Sequence, residues 1–251
     1  MKHAFRRRLH AGERLLGTLV SLASPEISEI LAGAGFDWLF LDAEHAPLSA
    51  HHLQRILQGA GPSLPCLVRL PGRDEVFVKK ALDIGAAGVI APMVNTAEQA
   101  ERVVRLSKYA PEGMRGVGVG RAHGYGLAFR EYIETANDNV TVVIQAEHME
   151  AVDNMEAIVR VPGIDAVLVG PYDLSSSLGR PGDVDHPQVT AAIDHVTDVC
   201  LGAGIPLGIF GMDENAVRPF VQKGYTLIVA GIDTVLLGRA AGSLLEQLRS
   251  L

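Results

Sequence analysis

Short apolar segments recur eight times along the chain, and helical stretches separate them. They lie at residues 16–22, 38–42, 66–69, 88–92, 141–145, 166–170, 206–210 and 226–230. Nearly continuous apolar runs of this length are typical of parallel strands that are covered by helices. Eight strand–helix units in 251 residues predict an α/β fold, a single (β/α)8 TIM barrel spanning residues 1–251. A doubly wound open sheet is the alternative.

Glycines in front of several of these segments support the alternation of helices and strands. Gly35, Gly85, Gly163 and Gly224 each end a helical pattern, and an apolar run follows within a few residues. Glycine readily adopts the left-handed conformation that ends a helix. We therefore expect helices to stop at these positions and the chain to return to the sheet.

Charge and hydropathy exclude several classes of function. The formal net charge is −7, which provides no basic surface for nucleic acid. No apolar stretch approaches the roughly 20 residues needed to cross a bilayer, and no signal-type segment follows the basic N-terminus. These features predict a cytoplasmic protein without nucleic-acid or membrane partners. We expect residues 6–8, three consecutive arginines, to form a solvated turn.

Two carboxylates stand just past predicted strands, Glu147 after residues 141–145 and Asp173 after residues 166–170. The carboxyl ends of the strands carry the chemistry in barrels of this kind. Burying two acids at one mouth costs several kcal/mol unless a cation compensates them. The pair therefore predicts a site for a divalent ion such as Mg²⁺, Mn²⁺ or Co²⁺. Helix capping by each acid is the alternative.

Arg69 and His45 also follow predicted strands, and both are candidate catalytic residues. A guanidinium beside a metal suggests that an oxyanion, such as a carboxylate or an enolate, binds between them. The alternative for Arg69 is a structural ion pair with Asp42 or Glu44. Imidazole titrates near neutrality, so His45 is a suitable proton carrier. Its candidate partners are Asp42, Glu44 and Asp83.

Lysine placement argues against a Schiff-base mechanism. Such a mechanism needs a lysine that projects from a strand into the pocket. The five lysines fall in predicted helices or at the terminus: Lys2, Lys79, Lys80, Lys108 and Lys223. Carbonyl chemistry at this site would therefore depend on the metal.

Two further segments predict a lid and a subunit interface. Residues 115–126 contain five glycines and His123, and long loops of this kind often form lids or pocket walls. The last helix, about residues 234–251, carries leucines on more than one face. We expect it to be buried against a second subunit as well as the barrel, in a homo-oligomer.

Four separated motifs match a known family in order and spacing. They are Leu41-Asp42-Ala43-Glu44-His45-Ala46-Pro47, Val68-Arg69, Gln145-Ala146-Glu147 and Gly170-Pro171-Tyr172-Asp173-Leu174-Ser175. The pattern resembles the metal-dependent pyruvate aldolases of the HpcH/HpaI family, the 4-hydroxy-2-oxoheptanedioate aldolases. The resemblance covers nearly the whole chain. It implies a barrel that forms a hexamer by exchanging its terminal helix.

The resemblance also implies roles for individual residues. Glu147 and Asp173 would be the metal ligands, and His45 would be the proton acceptor. Asp83 would raise the basicity of His45, and Arg69 would stabilise the enolate and the developing alkoxide. The substrate would be held by a further set of residues: Arg69, Gln145, Tyr172 and Asp173.

The implied reaction is reversible cleavage of a 4-hydroxy-2-oxo acid to pyruvate, or a close analogue such as hydroxypyruvate, and an aldehyde. The enzyme would be a carbon–carbon lyase of the class II aldolase type. Tyr172 stands where family members often carry a small residue, and Phe210 ends the seventh strand beside the acceptor side. A lyase acting on acyl thioesters, of the citryl or malyl lyase kind, and a non-catalytic barrel that binds 2-oxo acids are the alternatives.

Overall fold

Eight parallel strands close into a barrel in the computed structural model, which describes residues 4–251. The strands are β1 (Leu15–Val20), β2 (Trp38–Asp42), β3 (Cys66–Arg69), β4 (Gly88–Ala91), β5 (Thr141–Ala146), β6 (Ala166–Val169), β7 (Leu207–Gly211) and β8 (Leu227–Ile232). Each strand pairs with the next in sequence, and β8 pairs with β1. The barrel prediction is confirmed over the open sheet, and the predicted strand ends lie within two residues of the observed ones.

Helices connect the strands and cover the outside of the barrel. They are α1 (Ala4–His10), α2 (Pro25–Ala34), α3 (Ala50–Ala60), α4 (Glu75–Asp83), α5 (Ala97–Ser107), α6 (Phe129–Asn139), α7 (Met149–Asp153), α8 (Met155–Ile158), α9 (Pro171–Ser177), α10 (Pro187–Gly202), α11 (Glu214–Gln222) and α12 (Asp233–Arg249). The four glycines predicted to end helices have φ between 92° and 100°, so this expectation is confirmed. No helix within residues 4–251 has the length and hydropathy needed to cross a membrane.

Large side chains fill the amino end of the barrel interior. Trp38 is fully buried, and the ring of Phe5 from α1 lies 5.9 Å from it, centroid to centroid. Gly17 makes room for the indole, because a Cβ at this position would lie 2.6 Å from Trp38 Nε1. Leu9 of α1 is also fully buried. Helix α1 therefore plugs this end, and the opposite end is the open mouth.

Residues 6–8 lie in the helix α1, and Arg6 and Arg8 form ion pairs, so the expectation of a solvated turn is wrong. Arg6 Nε lies 2.7 Å from Asp165 Oδ1, and His10 Nε2 lies 2.7 Å from the same oxygen. Arg8 Nη2 contacts Asp37 Oδ1 at 2.8 Å. The apolar side chains of α1 hold the helix on the barrel end, and this places its arginines next to acids that begin or precede strands.

The glycine-rich loop lies at the amino end of the barrel, so it is not a lid over the mouth of its own chain. Arg121 donates to Ile84 O at 2.9 Å and to Leu57 O at 3.3 Å, near the carboxyl ends of α4 and α3. Helices of this barrel run opposite to the strands, so their carboxyl ends lie at the amino ends of the strands. His123 is buried within this loop and contacts Gly118 O at 2.6 Å.

The hydrogen bonds that fix helix α12 to the barrel are made where the helix begins. Asp233 is buried and accepts hydrogen bonds from Ser21 N, Ser21 Oγ and Leu22 N at 2.7–3.1 Å. The rest of the helix is largely exposed, including Leu236, Leu237, Leu244, Leu245 and Leu248. The expectation that these leucines are also buried against the barrel of the same chain is wrong, because each of them keeps two fifths or more of its surface exposed.

Candidate active site

A cavity of about 670 Å³ opens at the carboxyl ends of the strands. Residues from β1, β2, β3, β6, β7 and β8, and from the loops that follow them, line it. They are Leu19, Ser21, Leu22, Phe40, Asp42, His45, Ala46, Pro47, Arg69, Leu168, Gly170, Pro171, Tyr172, Asp173, Phe210, Ile232 and Thr234. Most of the residues predicted to act therefore meet at one mouth.

Glu147 is buried at the end of β5, with 3% of its surface exposed. Its Oε1 accepts a hydrogen bond from Met93 N at 2.7 Å, and its Oε2 accepts one from Gln145 Nε2 at 2.7 Å. Burial raises the pKa of this carboxyl to about 7. The Met93 amide opposes that shift, and the neighbouring acids Glu44 and Asp173 reinforce it.

Two backbone features shape the position of Glu147. Met93 has a φ of 52°, an uncommon conformation for a residue with a side chain, and its amide is aimed at the carboxylate. A Cβ on Gly170 would lie 2.8 Å from Glu147 Cβ, so only glycine leaves room for this side chain. Neither residue was predicted from the sequence. Gly170 ends the predicted strand 166–170, so its position could have indicated a place in the site. No feature of the sequence indicates a role for Met93.

Asp173 lies in the first turn of α9 and is exposed. The N-cap of this helix is Gly170, and within residues 4–251 no side chain caps it. His148 is the N-cap of α7 and accepts from Glu150 N at 3.1 Å. The alternative that Glu147 and Asp173 are helix-capping acids therefore finds no support in the hydrogen bonds.

Arg69 is buried and makes a two-point ion pair with Asp42. Its Nε lies 3.0 Å from Oδ1 and its Nη2 lies 2.8 Å from Oδ2. Glu44 Oε2 is 3.4 Å from Arg69 Nε, and the guanidinium stands 5.1 Å from the centre of the Phe40 ring. The ion pair foreseen as the alternative for Arg69 is thus present, and it fixes the guanidinium at the mouth.

Burial and the charge of Arg69 act in opposite directions on the pKa values of Asp42 and Glu44. Burial pushes the pKa of Asp42 upward, but the hydrogen bonds and charge of Arg69 outweigh burial, and the pKa is lowered. For Glu44 burial prevails over the attraction of Arg69 and His45, and the pKa is raised. Asp42 is therefore the counter-ion of Arg69, whereas Glu44 and Glu147 are partly compensated acids.

His45 lines the cavity, and its side chain is 63% exposed. Its Nε2 lies 3.8 Å from Glu44 Oε2, and its backbone N donates to Asp42 Oδ1 at 3.2 Å. The loop after β2 therefore presents the imidazole to the mouth. Of the three candidate partners named from the sequence, Glu44 is the one whose carboxylate lies within 4 Å of the imidazole ring.

Asp83 lies elsewhere in the same chain. It is the last residue of α4, at the amino end of the barrel, and its Oδ1 is 2.7 Å from Arg115 Nη2. Arg115 is buried and also stacks near the rings of Tyr109 and Tyr132. The fold does not bring Asp83 to His45 within one chain, because the two residues lie at opposite ends of the barrel.

The cluster fits a divalent cation. The charges of Glu44 and Asp173 raise the pKa of Glu147, the charge of Asp173 also raises the pKa of Glu44, and Gln145 Oε1 is buried with no hydrogen-bond partner from residues 4–251. A cation would compensate these acids. No group of three His, Cys, Asp or Glu side chains is arranged as a metal site in that part of the chain. Two carboxylates would therefore leave positions for water or substrate.

The lysines that the structure describes stand away from the cavity. Lys79 and Lys80 lie in α4, and Lys108 and Lys223 directly follow α5 and α11 as their C-cap residues. None of these four lines the mouth. Lys2 lies outside the described residues.

Comparison with known proteins finds aldolases that match nearly the whole chain. Residues 16–240 match the family described as HpcH/HpaI aldolase/citrate lyase. A hydroxypyruvate/pyruvate aldolase from Pseudomonas aeruginosa is 39% identical over 240 residues, covering 94% of this chain and 89% of that protein. A 4-hydroxy-2-oxo-heptane-1,7-dioate aldolase from Salmonella typhimurium is 40% identical over 248 residues, covering 97% and 94%.

A solved structure shares the whole architecture. It is the crystal structure of an HpcH/HpaI aldolase/citrate lyase family protein from Burkholderia cenocepacia, with a TM-score of 0.94 and 39% identity. The match covers 98% of this chain and 99% of that chain. The similarity therefore extends over the barrel and its terminal helix.

Proposed function

The chain belongs to the HpcH/HpaI aldolase/citrate lyase family, and from this we propose that it is a metal-dependent pyruvate aldolase. It cleaves a 4-hydroxy-2-oxo acid reversibly to pyruvate, or a close analogue such as hydroxypyruvate, and an aldehyde. The observation that carries the proposal is the cluster of Glu44, Glu147 and Asp173 beside Arg69 at the barrel mouth. The acyl-thioester lyase is less supported, because these relatives are named aldolases.

Glu147 and Asp173 would hold the divalent ion, which we propose to be Mg²⁺, Mn²⁺ or Co²⁺. When bound, the ion supplies a Lewis acid that lowers the cost of removing a proton from the methyl group of the oxo acid. Gln145 would orient the carboxylate of Glu147, since its amide nitrogen donates a hydrogen bond to Glu147 Oε2 at 2.7 Å. The Oε1 atom of Gln145 is buried and accepts no hydrogen bond from residues 4–251, so it is a further acceptor beside Glu147.

Arg69 stabilises negative charge on the substrate. Its guanidinium is held in place by Asp42, so it does not have to be reorganised when charge develops on the substrate oxygen. The methyl carbon loses a proton and forms a bond to the aldehyde carbon, and the aldehyde oxygen gains a proton. Arg69 would stabilise the enolate before that bond forms and the alkoxide after it.

His45 would carry the proton, directly or through one water. The exposure of its side chain suits exchange with solvent, and Glu44 lies 3.8 Å from its Nε2. Asp83 could raise the basicity of His45 only from a second copy of the chain, given its place at the other end of the barrel. Exposed apolar side chains near Asp83, Val117, Val119 and Leu127 among them, support contact with another copy at this end.

Tyr172 and Asp173 would bind the substrate from the start of α9. Backbone N–H groups in the first turn of a helix are available to an anion, and both residues line the cavity. The side chain of Tyr172 is 45% exposed at the mouth, where it can contact the acceptor aldehyde.

The exposed leucines of α12 support a homo-oligomer, which the family resemblance implies to be a hexamer. A helix with this much exposed apolar surface beyond its first turn is typical of a subunit interface. Exchange of α12 between copies would cover those leucines.

Retro-aldol cleavage tests the proposed function. The protein is dialysed against a chelator and incubated with 4-hydroxy-2-oxopentanoate, with and without added Mg²⁺ or Mn²⁺, and released pyruvate is measured with lactate dehydrogenase. We expect pyruvate release only when metal is present. Activity that persists unchanged in EDTA after dialysis would reject the metal-dependent mechanism.

A further inference from the structure

The cavity has two chemically different walls. On the polar wall, Asp42 and Arg69 end β2 and β3, and Asp173 lies in the first turn of α9, which follows β6. The remaining arc is formed by the ends of β7, β8 and β1, and we refer to Leu19, Leu22, Phe210, Ile232 and Thr234 as the β7–β1 wall. Since the oxo acid occupies the polar side, the β7–β1 wall faces the acceptor aldehyde.

The β7–β1 wall carries no positive charge. Among the cavity-lining residues, all within residues 4–251, Arg69 is the one arginine or lysine; Asp42 holds it in place, and in the proposed mechanism it serves the oxo acid. Arg73 stands at the same end of the barrel, but it donates to Gln99 Oε1 at 2.8 Å and does not line the cavity. Arg239 of α12 also lies outside the lining and faces Asp213 at 3.8 Å.

A carboxylate on the acceptor would therefore lose water without gaining a partner. It would lie against the aliphatic and aromatic side chains of this wall, where the lining residues of the described chain offer it no arginine or lysine. Transferring an unpaired anion to such a wall is costly. An uncharged alkyl or hydroxyalkyl group meets no such cost, and the hydroxyl of Thr234 is available at the rim.

Resting on the proposed aldolase function, we propose that the acceptor is an uncharged aldehyde and that the enzyme discriminates against aldehydes that bear a carboxylate. This distinguishes two classes of product, the monocarboxylic and the dicarboxylic 4-hydroxy-2-oxo acids. The enzyme would favour the monocarboxylic class.

A matched pair of aldehydes tests the inference. Butanal and 4-oxobutanoate have the same chain length and differ in a terminal methyl against a carboxylate. With saturating pyruvate and Mg²⁺, we expect kcat/KM for butanal to be about tenfold higher or more, because an unpaired buried charge costs more than 1.4 kcal/mol. Equal values, or a preference for 4-oxobutanoate, would overturn the inference.

A charge added to the wall tests the location. Thr234 is exposed at the rim, so Thr234→Arg leaves the core intact, and Thr234→Gln is the uncharged control of similar shape. The measured quantity is kcat/KM for 4-oxobutanoate divided by kcat/KM for butanal. We expect this ratio to be roughly fivefold higher in Thr234→Arg than in Thr234→Gln. An unchanged ratio would overturn the assignment of this wall to the acceptor.

Deuterium exchange into the methyl group of pyruvate, without any aldehyde, separates this inference from the proposed function. If exchange occurs and 4-oxobutanoate is the better acceptor, the inference fails and the aldolase function stands. If neither exchange nor product with any aldehyde is found, the proposed function fails and the inference fails with it.

Discussion

Arg69 and Asp42 are register partners on the adjacent strands β3 and β2, and their side chains form two parallel hydrogen bonds of 3.0 and 2.8 Å. Asp42 uses its Oδ1 a second time, for the backbone N–H groups of Glu44 and His45 at 3.0 and 3.2 Å. One carboxylate therefore positions the guanidinium and the loop that carries the imidazole. The strand register couples the two candidate catalytic groups.

Arg69→Lys tests the planar guanidinium. Lysine keeps the charge but cannot form both hydrogen bonds to Asp42, so we expect kcat/KM for retro-aldol cleavage to fall about 10²–10³-fold. Arg69→Ala should add a loss of about 3–5 kcal/mol in the free energy of unfolding, since it leaves buried Asp42 unpaired. Steady-state kinetics and urea unfolding measure the two effects. A wild-type rate in Arg69→Lys would remove Arg69 from the mechanism.

The buried carboxyl of Glu147 predicts a pH dependence of stability in the chelator-treated protein. Its folded pKa, about 7, lies above its ordinary value of 4.5, so the contribution of this group to stability is fully present below pH 4.5 and is lost as pH rises through 7. The 2.5-unit difference corresponds to about 3 kcal/mol at most. Urea unfolding at pH 5.5 and pH 8 should show the loss in wild type and a smaller one in Glu147→Gln. An equal loss of unfolding free energy between pH 5.5 and pH 8 in wild type and Glu147→Gln would contradict the conclusion that burial raises the pKa of Glu147.

Asp83→Asn separates a structural role from a role in catalysis. The amide can still accept from Arg115, so we expect a modest drop in melting temperature. If Asp83 of a second copy supports His45, the acidic limb of the pH–rate profile also moves to lower pH, because the imidazolium loses a neighbouring carboxylate. We expect that shift. A change in melting temperature with an unmoved pH profile would confine Asp83 to its ion pair with Arg115.

Helix α12 predicts the assembly state. Replacing Leu244, Leu245 and Leu248 by aspartate places charges on the exposed apolar face and should dissociate the oligomer. Light scattering should give a multiple of the 26.7 kDa chain mass for wild type and a lower mass for the triple variant. Glu246→Gln, on the same helix, is the control and should keep the wild-type mass. A monomeric wild type at micromolar concentration would refute the interface.

Much of the barrel could be predicted because its signals are local. The predicted bounds of two strands equal the observed ones, namely Trp38–Asp42 for β2 and Cys66–Arg69 for β3. Each of these strands is an apolar run that ends in a charged residue, so its end is marked in the sequence. The glycines that end helices are equally local signals. Site residues at the strand ends, such as Arg69 and His45, follow from the fold alone.

Long-range packing decided what the sequence did not predict. The glycine-rich loop lies at the amino end because Arg115 is held by Asp83 and by two tyrosine rings, contacts between segments far apart in sequence. The amide of Met93 reaches Glu147 through a backbone conformation that no sequence pattern marks. The same holds for Asp233, which ties the start of α12 to the end of β1.

The most direct test of the central claim is deuterium exchange into the methyl group of pyruvate, followed by proton NMR in deuterated water. Wild type with Mg²⁺ should exchange the methyl protons, and chelator should abolish the exchange. Glu147→Gln should lower it by about 10²-fold or more, whereas the surface control Glu156→Gln should not. Exchange that survives both the chelator and Glu147→Gln would contradict a divalent ion held by Glu147 and Asp173.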